Sequence, residues 1–212
     1  RRQRQMCIRD SSFRYMKDDP QNNIRVIPPL LRKEVTLHEP YSGDYIHGYM
    51  VNAGFSENVM KWHRQHPRIP LRFFWDKWEE EPVKRVDNTL SFYQLDDVEF
   101  LRQMAGCKAY ASTAGFESVC EAMYLGKPIL MVPAHIEQDC NAYDAKKSGA
   151  GIISSDFNLQ QLLEFAKDYH PNRDFVYWVR GAEYTLLNLL ESDSSNYQQV
   201  LFNEMYLVEE FI

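Results

Sequence analysis

Residues 109–151 read AYASTAGFESVCEAMYLGKPILMVPAHIEQDCNAYDAKKSGAG, and this stretch decides the fold. Its pattern predicts alternating strands and helices: a strand over 108–112, a helix over 116–124, a strand over 128–133, a ligand-facing loop over 134–139 and a helix from Asn141 to about 148. Gly126 and Pro128 follow the first helix, as a glycine cap and a proline stop do. This order is typical of an α/β domain with a parallel sheet.

The first helix of this stretch begins at a turn suited to a phosphorylated ligand, with Ser112, Thr113, Ala114 and Gly115 in the loop that leads into it. The first N–H groups of a helix have no acceptor within it and carry the positive end of its dipole, so this turn can hold phosphate or pyrophosphate. A glycine allows close approach to the backbone, and the hydroxyls of the loop and of Ser118 are further donors.

An acidic side chain, Glu121, lies six residues after Gly115. An ionised carboxylate only accepts hydrogen bonds, so it suits a vicinal diol such as ribose better than a phosphate. A single Gly-to-Glu spacing is structural more often than functional, because any βαβ unit needs glycines at its turns. Several such features in register favour a ligand site over this structural explanation.

The loop predicted over 134–139 lies beyond the carboxyl end of a strand, where α/β sheets bind ligands. Glu137 and Gln138 are placed there to reach sugar hydroxyls, and Asn141 opens the next helix. His135 contacts a phosphate or sugar in one interpretation and caps a turn in the other.

The spacing of these residues resembles the donor-binding signature of GT-B glycosyltransferases. It is similar to the C-terminal domain of the peptidoglycan N-acetylglucosaminyltransferase family and, more loosely, to the UDP-glycosyltransferase signature. The matching positions are Gly115, Glu121, Gly126-Lys127-Pro128, Val132-Pro133, Gln138 and Asn141-Ala142. The resemblance covers roughly residues 41–152. Thr113 departs from it, since those families carry His or Arg there, and Glu137-Gln138 replaces their Asp-Gln or Gln-Gln pair.

The resemblance implies a Rossmann-like parallel sheet with flanking helices, as one half of a GT-B two-domain fold. It implies that Glu121 holds the donor ribose, Gly115 and its neighbours the pyrophosphate, and Gln138 the sugar. The expected reaction is metal-independent transfer of a hexosyl group from a nucleoside diphosphate sugar, most simply a UDP-sugar, to an acceptor hydroxyl, with no cofactor. The catalytic base is expected in a preceding N-terminal domain, so this chain alone would bind nucleotide and turn over little.

Two other functions stay open. One is a nucleotide-sugar epimerase or hydrolase on the same scaffold, although such enzymes generally lack the run of Gln138 and Asn141-Ala142. The other is a non-catalytic nucleotide-sugar-binding module.

The chain upstream of residue 109 predicts three further strands, over 45–51, 71–75 and 90–93, and a helix over 57–66. Gly54 and Ser56 form a second candidate phosphate turn between the first of these strands and the helix, or equally an ordinary turn with a serine cap. The turn over 94–97 is where the resemblance places the nucleotide base.

Composition limits the class of protein and its partners. The chain has 212 residues, 44% of them hydrophobic, and a net charge of −6, which argues against nucleic acid as a partner. A transmembrane helix or secretory signal is not predicted, so a cytoplasmic location is expected, with a peripheral membrane acceptor left open. Cys107, Cys120 and Cys140 show no metal-ligand spacing; the two in helices of the motif are interpreted as small buried hydrophobic residues, and no metal is expected.

The expected organisation has four parts. Residues 1–21 form an artefactual or disordered N-terminus, of which residues 1–11 resemble a translated sequencing adapter. Residues 22–40 form the end of a preceding domain or a linker strand, 41–172 the nucleotide-sugar-binding domain and 173–212 the C-terminal helices. Two helices are predicted in the last part, over 174–190 and 196–211.

Overall fold

The structure is a computed structural model that describes residues 8–22, 24–77 and 81–191. The chain forms two compact units, one made of Arg1–Leu30 with Tyr177–Ile212 and the other of Leu31–Val176. The predicted donor domain, residues 41–172, falls inside the second unit. The predicted limits of the four parts stay predictions, and the helix predicted over 196–211 lies outside the described residues.

The first unit contains two short parallel strands, β1 (Ile8–Ser11) and β2 (Ile24–Ile27). The indole of Trp178 donates a hydrogen bond to the carbonyl of Ser12 at 3.2 Å, and its ring meets the Tyr15 ring edge-on. Strand β2 lies in the segment 22–40, whose assignment to the end of a preceding domain or to a linker strand stays a prediction.

The second unit alternates strands and helices along the chain. Its elements are α1 (Lys33–Leu37), β3 (Ile46–Met50), a 3-10 turn (Ala53–Phe55), α2 (Ser56–Gln65), β4 (Leu71–Trp75), β5 (Val83–Arg85), β6 (Leu90–Gln94), α3 (Asp97–Gly106), β7 (Ala109–Ser112), α4 (Phe116–Tyr124), β8 (Ile129–Met131), α5 (Ile136–Lys147), β9 (Gly151–Ile153), α6 (Leu159–Phe165) and the start of α7 (Arg173–Arg180). The predicted strands and the predicted helices α2 and α4 are thereby confirmed.

The seven strands of this unit form one sheet in the order β5-β6-β4-β3-β7-β8-β9. All neighbours are parallel except β5, which pairs antiparallel with β6 at the edge. The predicted α/β fold with a Rossmann-like parallel sheet is confirmed. Because the chain steps from β3 towards β4 and later from β7 towards β8, the order reverses between β3 and β7.

Helices cover both faces of the sheet, so successive strand residues are buried on opposite sides. Phe73 packs against Phe157, in the cluster that also contains residues of α2 and α6. Its neighbour Phe74 packs edge-on against Phe100 of α3, on the other side. The fully buried run of β7 sits between these layers, which fixes the turn that follows it.

Two expectations about helices need correction. Helix α5 begins at Ile136 and not at Asn141, because Glu137 and Asp139 lie in its first turn, where acidic side chains favour the positive end of the helix dipole. The helix predicted over 174–190 is interrupted by a turn at Gly181, consistent with the low helix propensity of glycine, and continues over 182–191. Helices α1, α3 and α6 were not predicted.

The prediction that the two cysteines in the helices of the motif are buried is correct for one of them. Cys120 is fully buried in α4, as expected, but Cys140 in α5 is exposed. The buried residues of α5 are Gln138, Ala142 and Ala145, which share one face of the helix, and Cys140 lies on a different face. Cys107 is also buried and follows α3.

Candidate functional site

A cleft opens where the strand order reverses, beyond the carboxyl ends of β3 and β7. This is the position at which open α/β sheets bind ligands. The cleft has a volume of about 600 Å³, within the range of small-molecule sites. Its lining comes from strand β3, from the starts of α1, α3, α4 and α5 and from the loop before α3: Arg32, Tyr49, Leu95, Asp97, Phe100, Gly115, Phe116, Glu117, Ser118, Glu121 and Glu137.

The start of α4 forms one wall of the cleft. Gly115 is the N-cap, with an extended backbone, and its carbonyl accepts from the N–H of Val119 at 3.2 Å and from the hydroxyl of Ser118 at 3.3 Å. A Cβ atom at Gly115 would meet only the Ser118 hydroxyl, at 3.8 Å. Nothing in the protein therefore crowds this position, and the glycine leaves the helix amides open to a ligand.

The turn before α4 is held by its own side chains. Ala114 has a left-handed backbone (φ 62°), which costs a non-glycine residue about 1 kcal/mol. Its N–H donates to the Ser112 hydroxyl at 3.1 Å, and the Thr113 hydroxyl accepts from the N–H of Val51 at 3.3 Å. All three side chains are fully buried. They shape the turn and do not line the cleft, so their donor contacts stay predictions.

Glu121 is buried, at 2% exposure, and its carboxylate is paired with Arg32. The Arg32 Nε donates to Oε1 at 2.6 Å and Nη2 donates to Oε2 at 2.9 Å. The remaining Nη1 donates to the Asp97 carboxylate at 2.9 Å. These hydrogen bonds, chiefly those with Glu121, raise the pKa of Arg32. A buried carboxylate that also lines the cleft is thereby held in one orientation.

The charged groups of the cleft are mostly acidic. Asp97, Glu117 and Glu137 are exposed, and Arg32 is the cation among the described residues of the lining. Because Arg32 already balances Glu121, the net charge that a diphosphate meets at the side chains is negative. The attraction for an anion must then come from the amides at the start of α4.

An apolar wall faces the acidic side chains. Tyr49, in β3, meets Phe100 edge-on with ring centroids 6.1 Å apart, and burial raises the pKa of Tyr49. Leu95, just before α3, is 54% exposed at the cleft. It lies in the turn where the resemblance places the nucleotide base.

The structure thus brings together four of the predicted site residues, namely Gly115, Ser118, Glu121 and Glu137. The cleft lining does not include Gln138, whose amide oxygen accepts from the N–H of Ala134 at 2.8 Å and whose side chain is buried. His135 is exposed at the start of α5 and its side chain makes no capping bond there, while Asn141 is half-buried. The roles of these three stay predictions.

The second candidate phosphate turn lies elsewhere. The N–H of Gly54 donates to the Asn52 side chain at 2.8 Å, within the 3-10 turn that precedes α2. Ser56 lines a separate small cavity of about 130 Å³ with residues such as Trp75 and Phe92. A donor contact for Gly54 or Ser56 is not tested by this geometry.

Sequence reasoning missed the cleft residues that lie far from the motif, above all Arg32, Tyr49 and Phe100. Tyr49 carried one usable signal, because it lies near the carboxyl end of the strand predicted over 45–51. The approach of Arg32 to Glu121 joins positions 89 residues apart and has no local signature.

Comparison with known families agrees with this geometry. The model of the family described as glycosyl transferase family 1 matches residues 8–169, which is most of the chain. The chain belongs to glycosyl transferase family 1. The match begins within the segment that resembles a sequencing adapter, and the adapter interpretation stays a prediction.

Solved glycosyltransferases share the fold of this family member. The glycosyltransferase of kitacinnamycin superposes with a TM-score of 0.57 at 13% identity, covering 81% of this chain and 49% of its own. The calicheamicin glycosyltransferase CalG4 gives a TM-score of 0.55 at 13% identity, covering 80% and 48%. UGT89C1 of Arabidopsis thaliana, complexed with quercetin, gives 0.54 at 15% identity, covering 81% and 51%. No curated protein sequence matches the chain.

The chain spans about half the length of these solved glycosyltransferases. It has the architecture of one of the two GT-B domains. Within the described ranges, no helix is long and apolar enough to cross a bilayer, and no group of three His, Cys, Asp or Glu side chains is arranged to hold a metal ion.

Proposed function

We propose that the cleft binds the nucleoside diphosphate part of a sugar donor, most simply a UDP-sugar, for hexosyl transfer to an acceptor hydroxyl. The observation that carries this proposal is the shared position of Glu121 and the start of α4 in one cleft beside the strand-order reversal. A carboxylate for a ribose diol and helix amides for a diphosphate then lie on the same helix, within a few turns of each other.

In this proposal the chain contributes binding and charge stabilisation. The amides at residues 116–118 hold the diphosphate as it takes up negative charge on leaving, in place of a metal ion. Glu121 accepts from the ribose hydroxyls, and Glu137 at the start of α5 accepts from sugar hydroxyls nearer the mouth. Gln138 would join Glu137 only if its bond to the N–H of Ala134 is exchanged for one to the sugar.

The acceptor and the catalytic base are assigned to a further domain, since the chain spans about half of the solved enzymes. The likeness of the motif to peptidoglycan N-acetylglucosaminyltransferases makes an N-acetylhexosamine donor and a membrane-associated acceptor at the cytoplasmic face part of the same proposal. The chain alone is expected to bind donor and to transfer no sugar.

A calorimetric titration of UDP against the full chain tests the proposal. Glu121→Gln should weaken UDP binding about tenfold or more, because one carboxylate oxygen that accepts from the diol becomes an amide donor. Glu117→Gln is the matched control, since it makes the same change on the same helix at an exposed position of the cleft. The control should not weaken binding.

Two results would overturn the proposal. The first is no UDP-dependent heat for the unmodified chain at millimolar nucleotide. The second is equal affinity for the unmodified chain and Glu121→Gln, with both proteins folded by circular dichroism, which would remove the ribose role of Glu121.

A further inference from the structure

Arg32 lies outside the motif, in the segment before strand β3, yet its guanidinium contacts the carboxylate of Glu121, which lines the cleft. We propose that Arg32 is a positioning residue, which orients Glu121 for the ribose hydroxyls and so sets the preference of the cleft for ribonucleotides. This inference rests on the proposed function, and it adds a residue and a specificity that the motif does not carry.

The geometry of the pair leaves hydrogen-bond acceptor positions on the carboxylate of Glu121 for a diol. Arg32 donates one hydrogen bond to each oxygen of Glu121, at 2.6 and 2.9 Å, so it uses one edge of the carboxylate. Each carboxylate oxygen has two lone pairs, so one acceptor position on each oxygen remains. Glu121 is 2% exposed and lines the cleft, so a diol that enters the cleft meets a carboxylate that is already oriented.

Charge explains why Arg32 stays on Glu121 when a ligand binds. The hydroxyls of a ribose are neutral donors, and they cannot balance a buried carboxylate if the guanidinium leaves. The contact of Arg32 with Asp97 is the weaker one, because the side chain of Asp97 is 80% exposed and its charge is screened by water. A shift of Arg32 on ligand binding would release Asp97 and not Glu121.

The backbone of Arg32 is anchored by the packing of helix α1. Arg32 is the N-cap residue of α1, and Val35 one turn later is fully buried. Helix α1 packs against α3, so the guanidinium reaches α4 from a supported position. A planar guanidinium that donates through two N–H groups fixes the plane of a carboxylate, whereas a lysine ammonium supplies the charge without the fork.

The test measures how strongly the full chain discriminates UDP from 2′-deoxy-UDP, by calorimetric titration of both nucleotides. The unmodified chain is expected to favour UDP by about tenfold, as expected when one hydrogen bond to a charged group is lost. Arg32→Gln should reduce this ratio to about twofold or less, while the affinity for 2′-deoxy-UDP changes by less than about threefold. Arg32→Lys should give an intermediate ratio, and Asp97→Asn should leave the ratio unchanged.

The ratio separates positioning from a general structural role, since partial loss of folded protein lowers both affinities together. A ratio in Arg32→Gln equal to that of the unmodified chain overturns the inference, and so does tighter binding of both nucleotides, which would make Arg32 a competitor for the site. If Arg32→Gln does not fold, the Arg32→Lys ratio decides, and an unchanged ratio there overturns the inference. A chain that binds neither nucleotide overturns the proposed function itself.

Discussion

Glu121 and Lys127 are two buried charged residues of the same segment, and they differ in what holds them. Glu121 is 2% exposed and is paired with the side chain of Arg32, beside the cleft. Lys127 is 4% exposed, and its ammonium donates to the carbonyls of Tyr41 at 2.7 Å and Cys107 at 2.9 Å. These carbonyls belong to loops at the other end of the sheet.

The difference teaches how a buried charge can be interpreted from its partners. A ligand cannot replace the backbone carbonyls that accept from Lys127 unless the loops themselves move. Lys127 therefore links these two loops and stabilises the fold. A side-chain guanidinium leaves part of a carboxylate unoccupied, so Glu121 can serve binding. Burial also lowers the pKa of Lys127, because desolvation disfavours its charged form.

The largest effect is the loss of stability expected when Lys127 is replaced. Lys127→Ala removes two hydrogen bonds from a charged donor and leaves two carbonyls without it, so the free energy of unfolding should fall by about 3 kcal/mol in urea. Lys127→Met keeps much of the side-chain volume and separates lost packing from lost hydrogen bonds. UDP affinity should stay within about twofold in both variants. A large loss of affinity in well-folded Lys127→Met would break the comparison.

The limits of α4 could be predicted from sequence because the residues that start and end the helix are adjacent to it in the chain. Gly115 before the helix and the glycine and proline after it mark its ends, and the predicted and observed helices coincide at Phe116–Tyr124. The start of α5 could not be predicted in the same way. Its first turn contains polar residues that suit a ligand loop equally well, and the acidic pair Glu137 and Asp139 was the available signal for a helix start.

The candidate site was predictable only in part, for a similar reason. Gly115 and Glu121 belong to one helix, so the proposed phosphate position and the proposed ribose position were both predicted from one local pattern. Arg32 and Tyr49 enter the cleft through tertiary packing, and pairing across 89 residues follows from the sheet order and not from any motif. The motif also placed Gln138 at the sugar, whereas its side chain is bonded to the turn before α5.

A third buried titratable group, His47 in β3, predicts how the stability of the protein depends on pH. Its ring stacks on Tyr110 at 5.3 Å and meets Phe100 at 4.8 Å, and burial lowers the pKa of His47 from 6.5 to about 3. Between these values the unfolded chain binds a proton that the folded chain does not. Stability should therefore fall as the pH falls from 6.5 towards 3.

His47→Phe should remove this contribution from the pH dependence of unfolding. The free energy of unfolding of the unmodified chain should lose about 1.4 kcal/mol more per pH unit than that of the variant between pH 6 and pH 4. Urea unfolding of both proteins at pH 7, 6, 5 and 4 measures the two slopes. Equal slopes would show that His47 takes up a proton in the folded protein as easily as in the unfolded chain.

The smallest effect is expected at Glu117, where stability and binding should change in opposite directions. Glu117 is exposed in the first turn of α4 and lines the cleft. An acidic side chain there interacts favourably with the helix dipole, so Glu117→Gln should lower the free energy of unfolding by about 0.5 kcal/mol. The same carboxylate repels a diphosphate, so UDP should bind about two- to threefold more tightly to the variant at low salt.

Asp174→Asn, in the first turn of α7, is the control for this prediction, because it should lower stability by a similar amount without changing UDP affinity. The gain in affinity of Glu117→Gln should also disappear at about 0.5 M salt, since the repulsion is between exposed charges. Weaker UDP binding to Glu117→Gln at low salt would mean that the carboxylate helps to hold the ligand. The diphosphate would then have to lie away from the start of α4, and Glu121 would be left as a buried ion pair whose role resembles that of Lys127.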